Sequence, residues 1–188
     1  MDDGEMREEL SQVQDNLLTA RAQTGDREAF GELYRRYLPP VLRFLTFRVA
    51  SRNDAEDLAG LVFYRAWQAL PRYREQEAGF RAWVYRIARN SVIDYYRTSR
   101  NHASLDESWA GAIMADSAND PDTHIVAEEV RAGLSRLPEE QQTVLVLRFV
   151  EGLSHAEVAE AVGKSEGACR MIQLRALKAL ARAMGEGR

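Results

Sequence analysis

The chain has almost no sulfur chemistry, no long apolar run and no excess of positive charge. Its 188 residues include one cysteine, Cys169, which excludes an internal disulfide. Three scattered histidines, His102, His124 and His155, together with that thiol give no ligand spacing, so neither a metal nor another cofactor is expected. No nucleophile–base pair, phosphate loop or metal cluster offers a start for catalysis, and an enzyme is not expected. Nothing approaches the run of about 18 apolar residues needed to span a bilayer, so no membrane insertion is expected. The opening MDDGEMREELSQVQ is acidic and lacks the basic-then-apolar order of a secretory signal, which predicts a cytoplasmic location.

The net charge of −4 conceals segregation. The first ten residues hold five acids and one arginine, and residues 101–123 hold five acids with no Lys or Arg. Residues 81–100 hold five arginines and one aspartate, and from residue 163 onward six basic residues face two acids. Two basic segments separated by an acidic one predict this organisation: an acidic N-terminal tail over 1–16, a helical domain over 17–100, a flexible acidic linker over 101–124 and a second helical domain over 125–188. The fold class expected is all-α.

Local chemistry is clearest near the C-terminus. Pro138 suits the opening of a helix, with Glu139 and Glu140 against its positive end, and that helix should run to about Glu151 and stop at Gly152. Ser154 stands three residues before Glu157, the spacing of a capping box, and Val158, Ala159 and Val162 supply a short buried stripe. Gly163 can take the left-handed conformation of a tight turn, and Ser165 can cap a third helix. Helix, turn and helix in this order fit a DNA-binding helix-turn-helix. On a helical wheel Cys169, Ile172, Ala176 and Leu180 face the core, with Cys169 a small buried hydrophobe. Gly167, Arg170, Met171, Leu174, Arg175 and Lys178 face out, where arginines can reach guanine edges or phosphates in a major groove.

The upstream domain should also be helical. Asp26 can cap a helix with Phe30, Leu33, Tyr34, Tyr37, Leu38, Val41, Leu42, Leu45 and Val49 on a buried face and a kink or break at Pro39-Pro40. Asn53 is expected to cap the next helix, with Asp54, Glu56 and Asp57 in its first turn and Leu58, Leu61, Val62, Ala66 and Leu70 facing inward. From about Phe80 to Arg100, Val84, Ile87, Ala88, Ser91 and Tyr95 should be buried, and Arg86, Arg89, Arg97 and Arg100 should form a basic ridge flanked by Trp83, Tyr85 and Tyr96. Cations interleaved with aromatic rings suit a single nucleic-acid strand, its phosphates held by charge and its unstacked bases by π faces.

These motifs resemble the bacterial sigma factors of the sigma-70 class, and most closely the small extracytoplasmic-function (ECF) group. DAEDLAGLVFYRAW at 54–67 is similar to the family's polymerase-binding helix, FRAWVYRIARNSVIDYYR at 80–97 to its promoter-melting helix, and 137–180 to its minus-35 reading domain, a winged-helix-like helix-turn-helix. The resemblance covers about residues 17–183. It implies a transcription initiation factor without catalytic chemistry, whose partners are core RNA polymerase, promoter DNA and, as is common in the family, an inhibitory anti-sigma factor. Asp54, Glu56 and Asp57 would meet the clamp helices of the largest polymerase subunit, and the second domain would dock on the flap. Trp83, Arg86, Arg89, Asn90, Asp94, Tyr95, Tyr96, Arg97 and Arg100 would hold the minus-10 element as it melts, with a flipped base received near Pro71 to Gly79. Ser165, Gly167, Arg170, Met171, Leu174, Arg175 and Lys178 would read the minus-35 element.

The chain departs from the family pattern twice. Gly60-Leu61 stands where the family has a polar Gln-Glu pair, and Ile172 replaces a commonly basic position in the recognition helix. A stand-alone helix-turn-helix regulator is the alternative, but it leaves the basic-aromatic helix and the acidic link without a task.

Overall fold

Capping side chains set the starts of four helices in a computed structural model that describes residues 3–49, 51–74, 78–102 and 130–185, the side chains of 3–9 and 99–102 excepted. No strand occurs among the described residues. Helix α1 spans Asp3–Gln23, so the segment expected as an acidic tail is largely helical, and the helix runs past the anticipated boundary at residue 16. Buried Asp15 ties it to the next helix by accepting hydrogen bonds from Arg36 Nη1 at 2.5 Å and from the Tyr37 hydroxyl.

Helix α2, Arg27–Thr46, starts where expected, with the Asp26 side chain accepting from Ala29 N. It runs through Pro39 and Pro40 without the expected break. Each proline deletes one backbone donor, but Leu33, Tyr37, Val41, Phe44 and Leu45 are buried on both sides of the pair, and that packing outweighs two lost hydrogen bonds. Helix α3, Arg52–Ala69, is capped by Ser51, whose hydroxyl accepts from Asp54 N at 3.1 Å. Asn53, the expected cap, lies inside the helix. Leu61 is exposed rather than inward, because Ala55, Leu58, Ala59, Val62 and Ala66 already form the buried stripe and Leu61 falls outside it. A short 3-10 turn at Leu70–Arg72 leads towards α4, Gly79–His102. The linker expected over 101–124 overlaps the last residues of α4 and otherwise lies outside the described residues.

The C-terminal half follows its local signals closely. Helix α5 is described over residues 130–135, and α6, Glu139–Leu145, continues into a wider π turn at Val146–Val150 before Gly152 (φ +67°) ends the run. Pro138 is the residue just before α6 and not its first helical residue. Helix α7, His155–Val162, carries both halves of the capping box between Ser154 and Glu157, and Gly163 turns the chain at φ +70°. Helix α8, Glu166–Gly185, starts with Ser165 Oγ accepting from Ala168 N at 3.2 Å. Cys169, Ile172 and Ala176 are buried as the wheel requires. Buried Gly133 brings α5 close to the end of α8: a methyl group there would lie 2.8 Å from Leu180 Cδ1 and 3.2 Å from Met184 Cγ. Arg136 Nη1 also donates to Ala183 O at 3.2 Å.

The two halves are not separate bodies. Helix α7 packs along α4, and buried residues of both halves join into one hydrophobic cluster.

Candidate nucleic-acid interface

The turn at Gly163 directs α8 so that one side is free. Ser165, Gly167, Arg170, Met171, Leu174, Arg175 and Lys178 are all exposed, the set that the helical wheel assigned to the outside. Arg170 pairs with Glu166 one turn earlier at 3.0 Å, which leaves its guanidinium at the surface. His155 Nε2 and Gln173 Oε1 lie 3.1 Å apart and fix α7 against α8, so the outward residues ride on a braced helix. Burial pushes the Cys169 thiol up from its ordinary range, in keeping with a core position.

The α4 ridge is less uniform than its sequence suggests. Arg86, Asn90 and Arg97 are exposed, whereas Trp83, Arg89, Asp94, Tyr95 and Tyr96 are half-buried. The side chain of Arg100 lies outside the described residues. Tyr85, expected to flank the ridge, is instead a core residue at 1% exposure, with its ring edge-on to Phe44. Ile87 and Tyr95, expected in the core, are only half-buried. The cause is the width of the apolar stripe: Val84, Tyr85, Ala88, Ser91 and Val92 fill it, and Tyr85 takes a place that the sequence pattern gave to the flank. Asp94 accepts from Arg65 and Arg97, each at 3.1 Å. The Tyr96 hydroxyl donates to Arg48 O at 2.6 Å and so fixes the ring beside Tyr95.

Beside the ridge lies a cavity of about 210 Å³ lined by Arg72, Tyr73, Arg74, Gly79, Trp83, Arg86 and Glu160. Trp83 packs on Tyr73 and Phe80, with ring centroids at 4.7 and 5.5 Å, so one wall is aromatic and rigid. Arg72, Arg74 and Arg86 bring positive charge to the rest, partly offset by Glu160. Flat apolar walls rimmed by guanidinium groups suit a base with its phosphate. Arg72, Tyr73 and Arg74 were not among the candidate residues, and only their place in the 71–79 loop pointed to them.

Glu160 comes from α7 and pairs with Arg86 at 3.0 Å. Further along the seam the Glu151 side chain is fully buried and accepts a bidentate pair from Arg43, at 3.0 and 2.7 Å, and a bond from the Tyr85 hydroxyl at 2.8 Å. The same pair favours the charged form of Arg43, while burial, reinforced by the Glu151 carboxylate, holds the Tyr85 phenol well above its ordinary range. Arg81 donates to Glu151 O and reaches Glu157 Oε1 at 3.5 Å. Arg48, 2% exposed, donates to Glu139 O at 3.1 Å and Gln142 Oε1 at 2.5 Å, and burial lowers its pKa. None of this network was anticipated.

On α3, Glu56 and Asp57 are exposed and Asp54 is half-buried. Asp54 accepts from Ser51 Oγ at 2.6 Å and Glu56 pairs with Arg52 at 2.5 Å. Leu61, Tyr64 and Trp67 continue an exposed apolar strip along the same helix. Among the described residues no group of His, Cys, Asp and Glu could hold a metal, and no helix is long and apolar enough to cross a membrane.

Comparison with known proteins gives two domain matches in chain order. Residues 33–102 match sigma-70 region 2 and residues 133–182 match sigma-70 region 4. The chain is 38% identical over 181 residues to the ECF RNA polymerase sigma factor SigD of Mycobacterium tuberculosis (strain ATCC 25618 / H37Rv), covering 88% of this chain and 81% of SigD. It is 37% identical over 170 residues to the ECF RNA polymerase sigma factor BldN of Streptomyces coelicolor, covering 88% of this chain but only 64% of BldN's length. The fold is similar to that of the sigma factor RpoE of Bartonella quintana in its co-crystal with the anti-sigma factor NepR, with TM-score 0.67 and 20% identity over 85% of this chain and 98% of that one.

Proposed function

The chain belongs to the ECF group of the sigma-70 family, and we propose that it binds core RNA polymerase, carries it to promoters through minus-35 and minus-10 elements, and assists melting. One observation carries this reading: a single chain holds a helix-turn-helix with a free basic face and a second, aromatic-basic helix beside a cavity of base size. A stand-alone regulator needs only the first. The chemistry of RNA synthesis belongs to the polymerase, and the chain works in the cytoplasm where that enzyme is.

Opening a duplex costs a few kcal/mol per unstacked step, so a factor that melts DNA without ATP must recover that energy from the exposed strand. Trp83, Tyr95 and Tyr96 offer ring faces, Arg86, Arg89, Arg97 and Arg100 offer charge, Asn90 and Asp94 offer polar edges, and the cavity beside Trp83 would receive a flipped base. On α8, Arg170 and Arg175 read the minus-35 groove, Gly167 permits close backbone approach, and Ser165, Met171, Leu174 and Lys178 complete the surface. Asp54, Glu56 and Asp57 dock on the polymerase clamp helices, and the second domain docks on the flap. In this reading residues 17–100 and 125–188 are the two working domains, and the acidic link over 101–124 runs towards the active-site cleft. An anti-sigma factor is the expected inhibitor, as NepR accompanies the structurally similar RpoE.

The test is transcription in vitro from a library of promoter fragments. Transcripts should require both the chain and core polymerase. Arg170→Ala and Arg175→Ala should each relax minus-35 preference, a direct base contact being worth about 1–3 kcal/mol. Tight, specific DNA binding by the chain alone favours the regulator, and unchanged preference in both variants removes α8 from the groove.

A further inference from the structure

The turn that brings Arg72, Tyr73 and Arg74 to the cavity beside α4 is held from behind by α1. We propose that α1 is a positioning element for minus-10 reading, and that Gln23, its last residue, is the positioning residue that fixes the Tyr73 wall. The proposal rests on the reading that this cavity receives a flipped base.

Three features carry it. First, the Gln23 side-chain amide donates to Leu70 O at 3.1 Å and to Tyr73 O at 2.7 Å, so one nitrogen clips both ends of the 3-10 turn. An amide NH2 has two donors and can serve two carbonyls at once, whereas a carboxylate has none. The clip adds to the turn's own bond from Tyr73 N to Leu70 O at 3.0 Å and sets the direction in which Tyr73 leaves it. Tyr73 and Arg74 lie outside any helix, so this outside support matters: a recognition wall works when held to within about 0.5 Å. Gln23 is not itself among the residues lining the cavity and acts through Tyr73, whose ring stands 4.7 Å from that of Trp83.

Second, α1 meets the lining at another place. A methyl group on Gly79, which has φ +69°, would lie 3.3 Å from Gln12 Nε2 and 3.6 Å from Gln12 Cγ. Gly79 lines the cavity and opens α4. Third, α1 is itself fixed. Buried Asp15 accepts from Arg36 Nη1 and from the Tyr37 hydroxyl, and the Tyr37 ring lies 5.4 Å from Phe80, which packs 5.5 Å from Trp83. At the end of α1, Arg21 donates twice to Asp26 Oδ2, at 3.0 and 2.7 Å, across the turn into α2. Gln23 therefore stands on a braced helix end.

The experiment combines the full-length chain with core polymerase and a promoter library randomised over the minus-10 element, and counts transcripts by template sequence. Gln23→Glu keeps the shape of the side chain but sets a carboxylate against two carbonyls. It should lower discrimination between bases at a minus-10 position several-fold and leave minus-35 preference unchanged. Gln23→Lys restores a donor and should recover the discrimination, since its added charge acts on all templates alike. Circular dichroism reports folding, and Gln23→Ala, which removes the donor without adding charge, carries the same expectation should Gln23→Glu unfold. Unchanged discrimination in a folded variant without the donor overturns the proposal, as does an equal loss in Gln23→Lys or a uniform fall over all templates. Trp83→Ala, a change in the cavity itself, separates this from the reading beneath it. If minus-10 discrimination survives in Trp83→Ala as well, the cavity receives no base and that reading fails; if only Trp83→Ala abolishes it, the positioning role of Gln23 alone is removed.

Discussion

At the residue scale, burial and partners decide what each side chain can do. Cys169 is 1% exposed and its thiol is pushed up by burial, so the reactive thiolate is scarce at neutral pH. A thiol reagent should label the native chain slowly and the denatured chain at once, and fast native labelling would place Cys169 at the surface. Gly60 lies within α3 and a methyl group there meets nothing within 4 Å. Gly60→Ala should therefore add about 0.5–1 kcal/mol of stability by restricting the unfolded chain, read as a higher denaturation midpoint. Its neighbour Leu61 is 37% exposed and puts an apolar group where the family carries a polar pair. Here the sequence misled: hydrophobic character placed Leu61 in the core, and only the completed stripe of Ala55, Leu58, Ala59, Val62 and Ala66 shows that no room was left.

At the scale of elements, what was legible was what is local. Ser154 with Glu157, Gly163 and Ser165 act within three or four residues of themselves, and the helix-turn-helix formed as those residues require. Ser154→Ala removes the hydroxyl that accepts from Glu157 N and should cost about 1 kcal/mol, measurable by denaturant unfolding; an unchanged midpoint would show that the box contributes nothing to the fold. Ser51 caps α3 in place of the expected Asn53, its hydroxyl accepting from Asp54 N, because the chain is already helical from Arg52. The continuity of α2 through Pro39-Pro40 was also hidden. Local rules count the lost donors, but the compensating burial of Tyr37, Val41 and Phe44 is tertiary.

At the scale of the whole molecule, the seam between the halves had no signature in the chain. Arg43 and Glu151 are 108 residues apart, and each alone reads as a surface charge. Coupling through that pair predicts that heat unfolds the chain in one cooperative transition. Glu151→Ala leaves Arg43 and Tyr85 without their acceptor and should split the calorimetric trace into two; a single peak at the wild-type temperature would show that the halves are not coupled there. The geometry also sets what must happen on DNA. Elements at minus-10 and minus-35 lie roughly 25 base pairs apart, or about 85 Å at 3.4 Å per pair. In the proposed assignment α4 holds one element and α8 reads the other, so the packing of α7 on α4 has to open on the promoter.

The Gly133 crossing ties the two ends of the C-terminal half together. The chain re-enters the C-terminal half through α5, which is seated on Leu180 and Met184 and tied to Ala183 by Arg136. Any load on α5 is thus passed first to the rear of α8, the helix proposed to read the minus-35 element. The contact lies beyond the forward half of α8, where Arg170 and Arg175 stand exposed, so those side chains are set apart from the crossing.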